Sequence, residues 1–377
     1  MRRAKGLYAQ PAEARLGRRE KVQTKYVSGI LLSILLVTSI IALPSFIITI
    51  TSQTASAKPS SENFTIIVLP DTQYYSQSYP EIFENQTKWI VQNENLMNIV
   101  FVTHMGDIVD HYNSYWEWVY ADNAMSILDN SKIPYAVLPG NHDPDGGYSN
   151  PGPGASDYEN HFPASRFEGY SWWGGSYDTS SAVSSSPNMN NYQLFTWDGM
   201  NFITLSLQYN PPADVRAWAD NVLSKYSDRR AIISTHSYIN EDGSWAPGGP
   251  VIWRDVVVPN KNVFLVLCGH ELGEGEKIDN LDNRIVYQLL SDYQGFPRGG
   301  DGWLRIMKFV PSENTIYVTT YSPYLDNYRT NSDSQFELYY PMNETVVTGG
   351  GISLLVYIGA VVVIVVIIAI VLILKFV

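Results

Sequence analysis

Val137-Leu138-Pro139-Gly140-Asn141-His142-Asp143 is the stretch on which the reading of the chain turns. The apolar run 135–138 predicts a short buried strand that stops at Gly140, and three polar side chains follow at once. Asn141 brings a neutral oxygen, His142 a titratable imidazole and Asp143 a charge. Polar groups crowded at the end of a buried strand serve a core badly and a site well, because ligands of open α/β sheets bind beyond the carboxyl ends of the strands. Four other segments repeat the design: Val68-Leu69-Pro70-Asp71-Thr72-Gln73, His104-Met105-Gly106-Asp107-Ile108-Val109-Asp110, Ile233-Ser234-Thr235-His236 and Leu267-Cys268-Gly269-His270.

Outward from these segments the pattern is α/β. Apolar runs at 64–69, 99–103 and 135–138 predict strands. Ile82, Phe83, Trp89, Ile90 and Val91 recur near helical spacing and predict a helix from Pro80 to about Glu94; 115–128, rich in Trp and Tyr, predicts a second. Such a βαβαβ start argues for neighbouring strands joined by crossover helices. Residues 143–191 then lose periodicity and are crowded with Gly, Ser, Asn, Pro and aromatic side chains; so long a loop is usually functional or a lid. Runs 192–197 and 201–207 predict a hairpin turning at Asp198-Gly199. A helix is expected over 211–225 with Ala217, Trp218 and Val222 on one face. Buried strands are expected at 231–235 and 263–268, and later, antiparallel ones at 284–290, 303–310 and 315–321.

The 377 residues are 45% hydrophobic, enough for a sizeable core. Residues 26–50 carry no charge and would make a helix of roughly 37 Å, longer than the bilayer core of about 30 Å. Before them, residues 1–25 hold eight Lys/Arg against Glu13 and Glu20, which places that end in the cytoplasm. Ala55-Ser56-Ala57 resembles a signal-peptidase site, so 26–50 is a transmembrane anchor or a cleaved signal segment, with length favouring the anchor. Residues 352–374 are uncharged, dominated by Val and Ile and apolar all round, which predicts a transmembrane helix. The expected organisation is a basic cytoplasmic segment (1–25), the anchor or signal (26–50), a linker (51–62), one folded extracellular domain (63–325), a juxtamembrane linker (326–351) and the membrane helix (352–374). The net charge is −12 despite the basic start, so the folded part is acidic, would repel nucleic acid and is not expected to bind it. Cys268 is the lone cysteine, which excludes an intrachain disulfide.

The polar groups at the strand ends are Asp71, Gln73, Asp107, Asp110, Asn141, His142, His236 and His270. That mixture of carboxylate, imidazole and carboxamide suits borderline divalent cations such as Zn, Mn, Fe or Co. No Gly-x-Ser-x-Gly elbow and no phosphate-cradling P-loop occurs, and Cys268 falls inside a strand. Metal-assisted hydrolysis therefore fits better than covalent catalysis.

Asp71-x-Gln73, Gly106-Asp107-x-x-Asp110, Gly140-Asn141-His142-Asp143, His236 after a strand, and Gly269-His270 together resemble the calcineurin-like metallophosphoesterase superfamily, in that family's order. The Leu-Pro-Asp-Thr-Gln-Tyr-Tyr opening at 69–75, with Leu-Leu-Ser-Asp-Tyr-Gln at 289–294 and Gly-Gly-Asp-Gly-Trp-Leu-Arg at 299–305, resembles a surface or secreted branch of it. The resemblance implies a sandwich of two mixed β-sheets flanked by helices, one or two divalent metal ions (Mn, Fe, Zn or Co) and a phosphoester substrate. It implies that Asp107 bridges two metals, that Asn141, His236 and His270 complete one site, and that Asp71 and Gln73 serve the other. His142 would face the substrate, and Asp110 would orient it.

Two departures matter. Gln73 stands where the family usually has His, and Gly269-His270-Glu271-Leu272 stands where it has Gly-His-x-His. Leucine cannot bind a metal, so the site served by Asp71 is one protein ligand short unless Glu271 or Glu274 swings in. The expected function is a metal-dependent phosphoesterase acting on phosphomonoesters or diesters, with a metal-activated water, on the outer face of the membrane. The alternative is a catalytically impaired binding or surface-structural protein on the same fold. His104, His111 and His161 fit no motif position. Tyr170, Trp172 and Trp173 read as a packed loop, and Arg298 and Arg305 as ion-pair partners.

Overall fold

Three apolar segments, β1 (Phe64–Leu69), β2 (Ile99–His104) and β3 (Tyr135–Ala136), run side by side as parallel strands in the computed structural model, which describes residues 62–177, 187–281 and 284–342. Between them come helices α1 (Gln73–Ser78), α2 (Pro80–Met97) and α3 (Tyr115–Ser131), the crossovers that the sequence implied. α2 starts on Pro80, whose missing N–H is no loss in a first turn, and ends at Asn98 in the left-handed conformation that closes helices. The segments 26–50 and 352–374 lie outside the described residues. No helix of the described residues is long and apolar enough to cross a membrane.

The stretch 143–191 contains α4 (Ser156–His161) and β4 (Trp173–Ser176). β5 (Asn191–Trp197) and β6 (Met200–Leu207) form the expected hairpin, with Asp198 and Gly199 both at positive φ as a two-residue turn requires. Then follow α5 (Ala213–Lys225), β7 (Arg230–Thr235), β8 (Val263–Cys268), β9 (Gly273–Leu281), β10 (Arg284–Asp292), β11 (Leu304–Val310), β12 (Thr315–Ser322), β13 (Asn327–Arg329) and β14 (Gln335–Tyr339).

The strands make two mixed sheets. One has the order β13-β12-β11-β1-β2-β3, with β14 also on β12; the other has the order β4-β5-β6-β7-β8-β10-β9. Phe64, Ile66 and Val68 of β1 meet Phe202, Ile232, Leu265 and Leu267 in the core between the sheets. Ile67 and Leu69 face the other way, onto Ile82, Phe83 and Ile90 of α2 and Trp118, Met125 and Leu128 of α3. On the second sheet Ile203, Leu205, Ile233 and Val266 face α5. Both faces of the central strands are therefore covered, which is why they read as unbroken apolar runs rather than alternating ones.

Four expectations differ from the structure. β10 lies antiparallel to β9 but parallel to β8, because the unexpected β9 takes the sheet edge and returns the chain beside β8. The buried face of α5 is Val215, Ala219, Val222 and Leu223, at i, i+4, i+7 and i+8; Ala217 is exposed on another side. Val137 and Leu138 are buried but lie past the end of β3. The expected linker from 326 instead contributes β13 and β14, with Leu338 and Met342 in the inter-sheet core.

Candidate metal centre

The carboxyl ends of β1, β2, β7 and β8, with the segment after β3, deliver Asp71, Asp107, His236, His270 and Asn141 to one edge of the sandwich. A buried Thr103 Oγ1–Ser234 Oγ hydrogen bond of 2.8 Å joins the two sheets just below. His236 is the hub. Its Nδ1 donates to the Met105 carbonyl at 2.9 Å, which turns Nε2 toward the cluster. Nε2 lies 2.9 Å from Asn141 Oδ1, 3.1 Å from His270 Nδ1 and 3.3 Å from Asp107 Oδ2. The ligand atoms of Asp107, His236 and His270 all lie within 4.8 Å of one another.

The electrostatics of this group call for positive charge. Burial works to raise the Asp107 carboxyl, yet the adjacent His236 and His142 imidazoles hold it below its ordinary value. Burial likewise disfavours an imidazolium at His236, but the Asp107 carboxylate leaves its pKa raised. Burial and the neighbouring His236 push His270 down to about 4, so it presents the neutral imidazole that metals bind. Carboxylate, carboxamide and imidazole atoms converging around one point fit a borderline divalent cation.

Small residues make the approach possible. A Cβ on Gly140 would fall 2.1 Å from Asp107 Oδ1, and one on Gly269 would fall 2.1 Å from Asp71 Oδ1, so each carboxylate nests on a bare backbone. Asp143 ties the loops together. Its oxygens accept from Ile108 N at 2.9 Å, Val109 N at 3.0 Å and Gly140 N at 2.7 Å. Burial and the nearby Asp107 charge raise its carboxyl to about 7. In sequence Asp143 was one more charge; its clamp between two loops depends on contacts more than thirty residues apart.

Asp71 and Gln73 stand beside this cluster with free valence. Asp71 Oδ2 accepts from His270 N at 3.1 Å and lies 4.0 Å from His236 Nδ1. Its Oδ1, and Oε1 of Gln73, are buried without a hydrogen-bond partner. Burial and the Asp292 and Asp107 carboxylates push the Asp71 carboxyl well up. Two orphaned buried oxygens in such a field fit a second cation, since buried polar atoms are otherwise satisfied. Asp292, at the end of β10, is a neighbour that sequence reading did not single out.

Leu272 is 58% exposed. Glu274 is not a substitute ligand: Arg305, Tyr293, Thr320, Ser334 and Arg329 all engage it, in a network that joins β9 of the second sheet to β11, β12 and β13 of the first. Glu271 Oε1 lies 3.9 Å from His270 Nε2.

His142 faces outward from the cluster. Its backbone N–H donates to Asp107 Oδ1 at 2.9 Å, and its ring Nδ1 lies 2.9 Å from the Asp110 carbonyl and 3.3 Å from Asp110 Oδ1. Nε2 is 4.0 Å from Asp107 Oδ2. Asp110 is held in turn by Gln73 Nε2 at 3.2 Å and Gln77 Nε2 at 2.6 Å. Tyr148 sits against the His142 ring at 5.1 Å, and Tyr209 covers His236 and His270.

The other sequence readings resolve simply. His104 is buried, bonds Thr72 Oγ1 at 2.9 Å and accepts from Gly106 N at 3.1 Å; burial lowers its pKa to about 3. His111 pairs with Glu117, and His161 stacks on Trp118. Trp172, Trp173 and Tyr170 pack on Phe167, Tyr135 and each other. Arg298 pairs with Asp301. A cavity of about 530 Å³ is lined by Asn240, Glu241, Asp242, Glu271 and Leu272. One of about 570 Å³, among Glu62, Asn63, Leu96 and Lys308, lies at the opposite end of β1 and touches none of the strand-end groups.

A ring of acidic, imidazole and carboxamide groups at the strand ends of a two-sheet α/β sandwich defines a class of cation-binding hydrolytic folds. A sequence profile of calcineurin-like phosphoesterases matches residues 64–274, more than half of the chain, and the chain belongs to that family. The uncharacterized protein YvnB of Bacillus subtilis (strain 168) is 39% identical over 277 residues, which cover 71% of this chain and 20% of YvnB; the chain thus spans about a fifth of that relative. A dimetal phosphatase from Danio rerio superposes with a TM-score of 0.49 at 13% identity, over 74% of this chain and 99% of its own. GAP50, the anchor in the inner membrane complex of Plasmodium, superposes with a TM-score of 0.42 at 14% identity, over 79% and 94%.

Proposed function

We propose that the chain is a metal-dependent phosphoesterase that hydrolyses phosphomonoesters or diesters. The observation that carries this reading is the convergence of Asp107, Asn141 and His270 on His236 Nε2, beside the orphaned oxygens of Asp71 and Gln73. Asp107, Asn141, His236 and His270 would hold one divalent cation; Asp71, Gln73 and Asp107 would face a second. Bound there, such cations polarise a phosphoryl oxygen and lower the pKa of the attacking water.

The chain's own groups supply orientation and a proton. Asp110 fixes the His142 ring through Nδ1, leaving Nε2 to donate to the departing oxygen or to the charge that develops on phosphorus oxygens. Asp143 and the Gly140 and Gly269 backbones keep the carboxylates in place, so that little reorganisation is needed during the reaction.

The finer reading places the enzyme in the surface branch marked by Pro70-Asp71-Thr72-Gln73, with its folded part outside the membrane; the uncharged segments 26–50 and 352–374 and the basic start support this. A second reading, a binding protein that has lost catalysis, is favoured by Leu272 alone.

The test is hydrolysis of p-nitrophenyl phosphate and bis-p-nitrophenyl phosphate by EDTA-stripped chain with and without Mn²⁺. Activity that returns with the metal, and that Asp107→Asn abolishes, supports the enzyme. Equal inertness of wild type and Asp107→Asn under saturating Mn²⁺ leaves only the binding protein.

A further inference from the structure

Tyr148 is an exposed aromatic ring held against the imidazole that the scheme above assigns to the leaving group. Its ring centroid lies 5.1 Å from that of His142, with 31° between the planes. The residue is 67% exposed, whereas the His142 side chain is 17% exposed. The ring therefore touches the site and still keeps free area toward solvent.

The loop that presents it is fixed. Asp145 N donates to the Gly154 carbonyl at 2.9 Å and Gly152 N to the Asp145 carbonyl at 2.7 Å, closing 145–154 on itself. The Asp145 carboxylate accepts from Ser156 N at 3.0 Å and Ser156 Oγ at 2.8 Å, which pins the loop to the start of α4. Gly146 and Gly147 both sit at positive φ, and a Cβ on Gly147 would fall 2.9 Å from the Tyr112 ring. The turn thus packs on Tyr112, whose carbonyl accepts from the buried Trp118 indole at 2.6 Å. A ring held this way has little freedom left to lose when a ligand lies on it.

Reach sets where a leaving group must pass. His142 Nε2 is 4.0 Å from Asp107 Oδ2, so it borders the candidate cations. A proton donated from Nε2 goes to an oxygen about 2.6–3.2 Å away. The carbon on that oxygen then leaves the cluster beside the imidazole, and Tyr148 is the ring packed there. Tyr209, by contrast, packs at 5.8 Å on His236 and 5.5 Å on His270. A planar ring gains offset stacking on tyrosine that an alkyl chain cannot match.

We propose that Tyr148 determines specificity as a platform on which the leaving group stacks, so that the enzyme favours phosphoesters whose leaving group carries a planar ring, aryl or nucleobase. This rests on the phosphoesterase reading above and deepens it by naming a substrate class.

The experiment uses the full chain loaded with Mn²⁺ and two pairs of substrates. Phenyl phosphate and hexafluoroisopropyl phosphate have leaving oxygens of similar acidity and differ in the ring. Adenosine 5′-monophosphate and ribose 5-phosphate share the leaving oxygen and differ in the base. Wild type should favour the ring-bearing member of at least one pair by about fivefold in kcat/KM, the order of one aromatic pair, expressed largely in KM. The pair that shows it identifies the ring. Tyr148→Phe should keep the ratio. Tyr148→Ala and Tyr148→Leu should bring it near one, with bound Mn²⁺, counted by mass spectrometry, as in wild type. Leucine keeps bulk against His142 and so separates stacking from mere support of the imidazole. Without turnover, calorimetry should show benzylphosphonate binding wild type more tightly than ethylphosphonate does if the aryl pair responds, and Tyr148→Ala should lose that difference.

An active wild type with a ratio near one in both pairs would overturn the proposal and leave the phosphoesterase intact. So would a ratio that survives in Tyr148→Ala and Tyr148→Leu. An equal loss on all four substrates in Tyr148→Ala would also overturn it, by showing that the ring only supports His142. Wild type inert on all four with Mn²⁺ would remove the phosphoesterase reading itself, and the platform with it.

Discussion

Replacing Gly140 with alanine adds one methyl group at the point where two loops touch. That methyl would lie 2.1 Å from Asp107 Oδ1, 2.7 Å from Asp107 Cγ and 2.4 Å from Asp107 N. Non-bonded contact needs roughly 3.5 Å, so the carboxylate and its backbone must retreat by more than about 1 Å. A rotamer change cannot relieve this, because one clashing atom is backbone. Asp107 sits at positive φ, in a loop pinned through Ile108 N and Val109 N to Asp143. Overpacking of this kind destabilises by about 1–3 kcal/mol. A misplacement of about 1 Å in a catalytic group costs around a hundredfold in rate. Gly140→Ala should therefore fold, melt several degrees lower, and lose about a hundredfold in Mn²⁺-dependent kcat/KM on bis-p-nitrophenyl phosphate, with a parallel loss of Mn²⁺ affinity. Gly199→Ala is the control. A Cβ there meets nothing within 4 Å but must adopt positive φ, which costs roughly 1–2 kcal/mol. It should lower Tm comparably and leave metal binding untouched. Wild-type Mn²⁺ affinity and turnover in Gly140→Ala would refute the claim that Asp107 is a metal ligand held against that glycine.

Three further outcomes are expected. His142→Ala should leave metal content unchanged and lower kcat by about 10²–10⁴, the usual range for a positioned proton donor, with the larger loss on substrates whose leaving group is a poor one; a loss of bound metal instead would make His142 a ligand. Leu272→His alone should tighten the weaker cation site and raise activity at limiting Mn²⁺, measured as a lower metal concentration for half-maximal rate; no change would mean that Leu272 lies too far from the site. At Asp122, burial works to raise the carboxyl, but hydrogen bonding from His161 and the Arg166 guanidinium hold it at about 2. Because the folded pKa lies below the ordinary value of 3.8, this contribution is present above about pH 4 and fades as pH falls toward 2. The gap between acid melts of wild type and Arg166→Ala should therefore be wider above pH 4 than near pH 2, where only the contacts of Arg166 with Ser126, the His161 carbonyl and Phe162 remain; a gap independent of pH would contradict it.

The strand ends were legible because each motif is local. An apolar run buried on both faces followed at once by Asp, His or Asn announces its chemistry within a few residues. Each such segment ends a strand in the structure or, at Asn141, follows one closely. What sequence hid depends on pairing between distant segments. β9 reads poorly because an edge strand with one solvated face carries Glu274, Glu276, Lys277 and Asp279 rather than an apolar run. The direction of β10 follows from that missing strand. Glu274 looked available two residues beyond Leu272, yet its partners Arg305, Thr320 and Ser334 come from up to 60 residues away. On α5 only Ala217 departs from the expected face: Trp218 packs against the core beside Val222, and Val215, Ala219 and Leu223 complete the buried stripe.

The central claim is that side chains from four separate segments form one cation-binding pocket. Anomalous diffraction at the manganese edge from crystals of the chain grown with Mn²⁺ tests it directly. The expected result is a peak enclosed by Asp107 Oδ2, Asn141 Oδ1, His236 Nε2 and a nitrogen of His270. A clear map with no peak there at saturating Mn²⁺, or with metal bound only elsewhere, would contradict it.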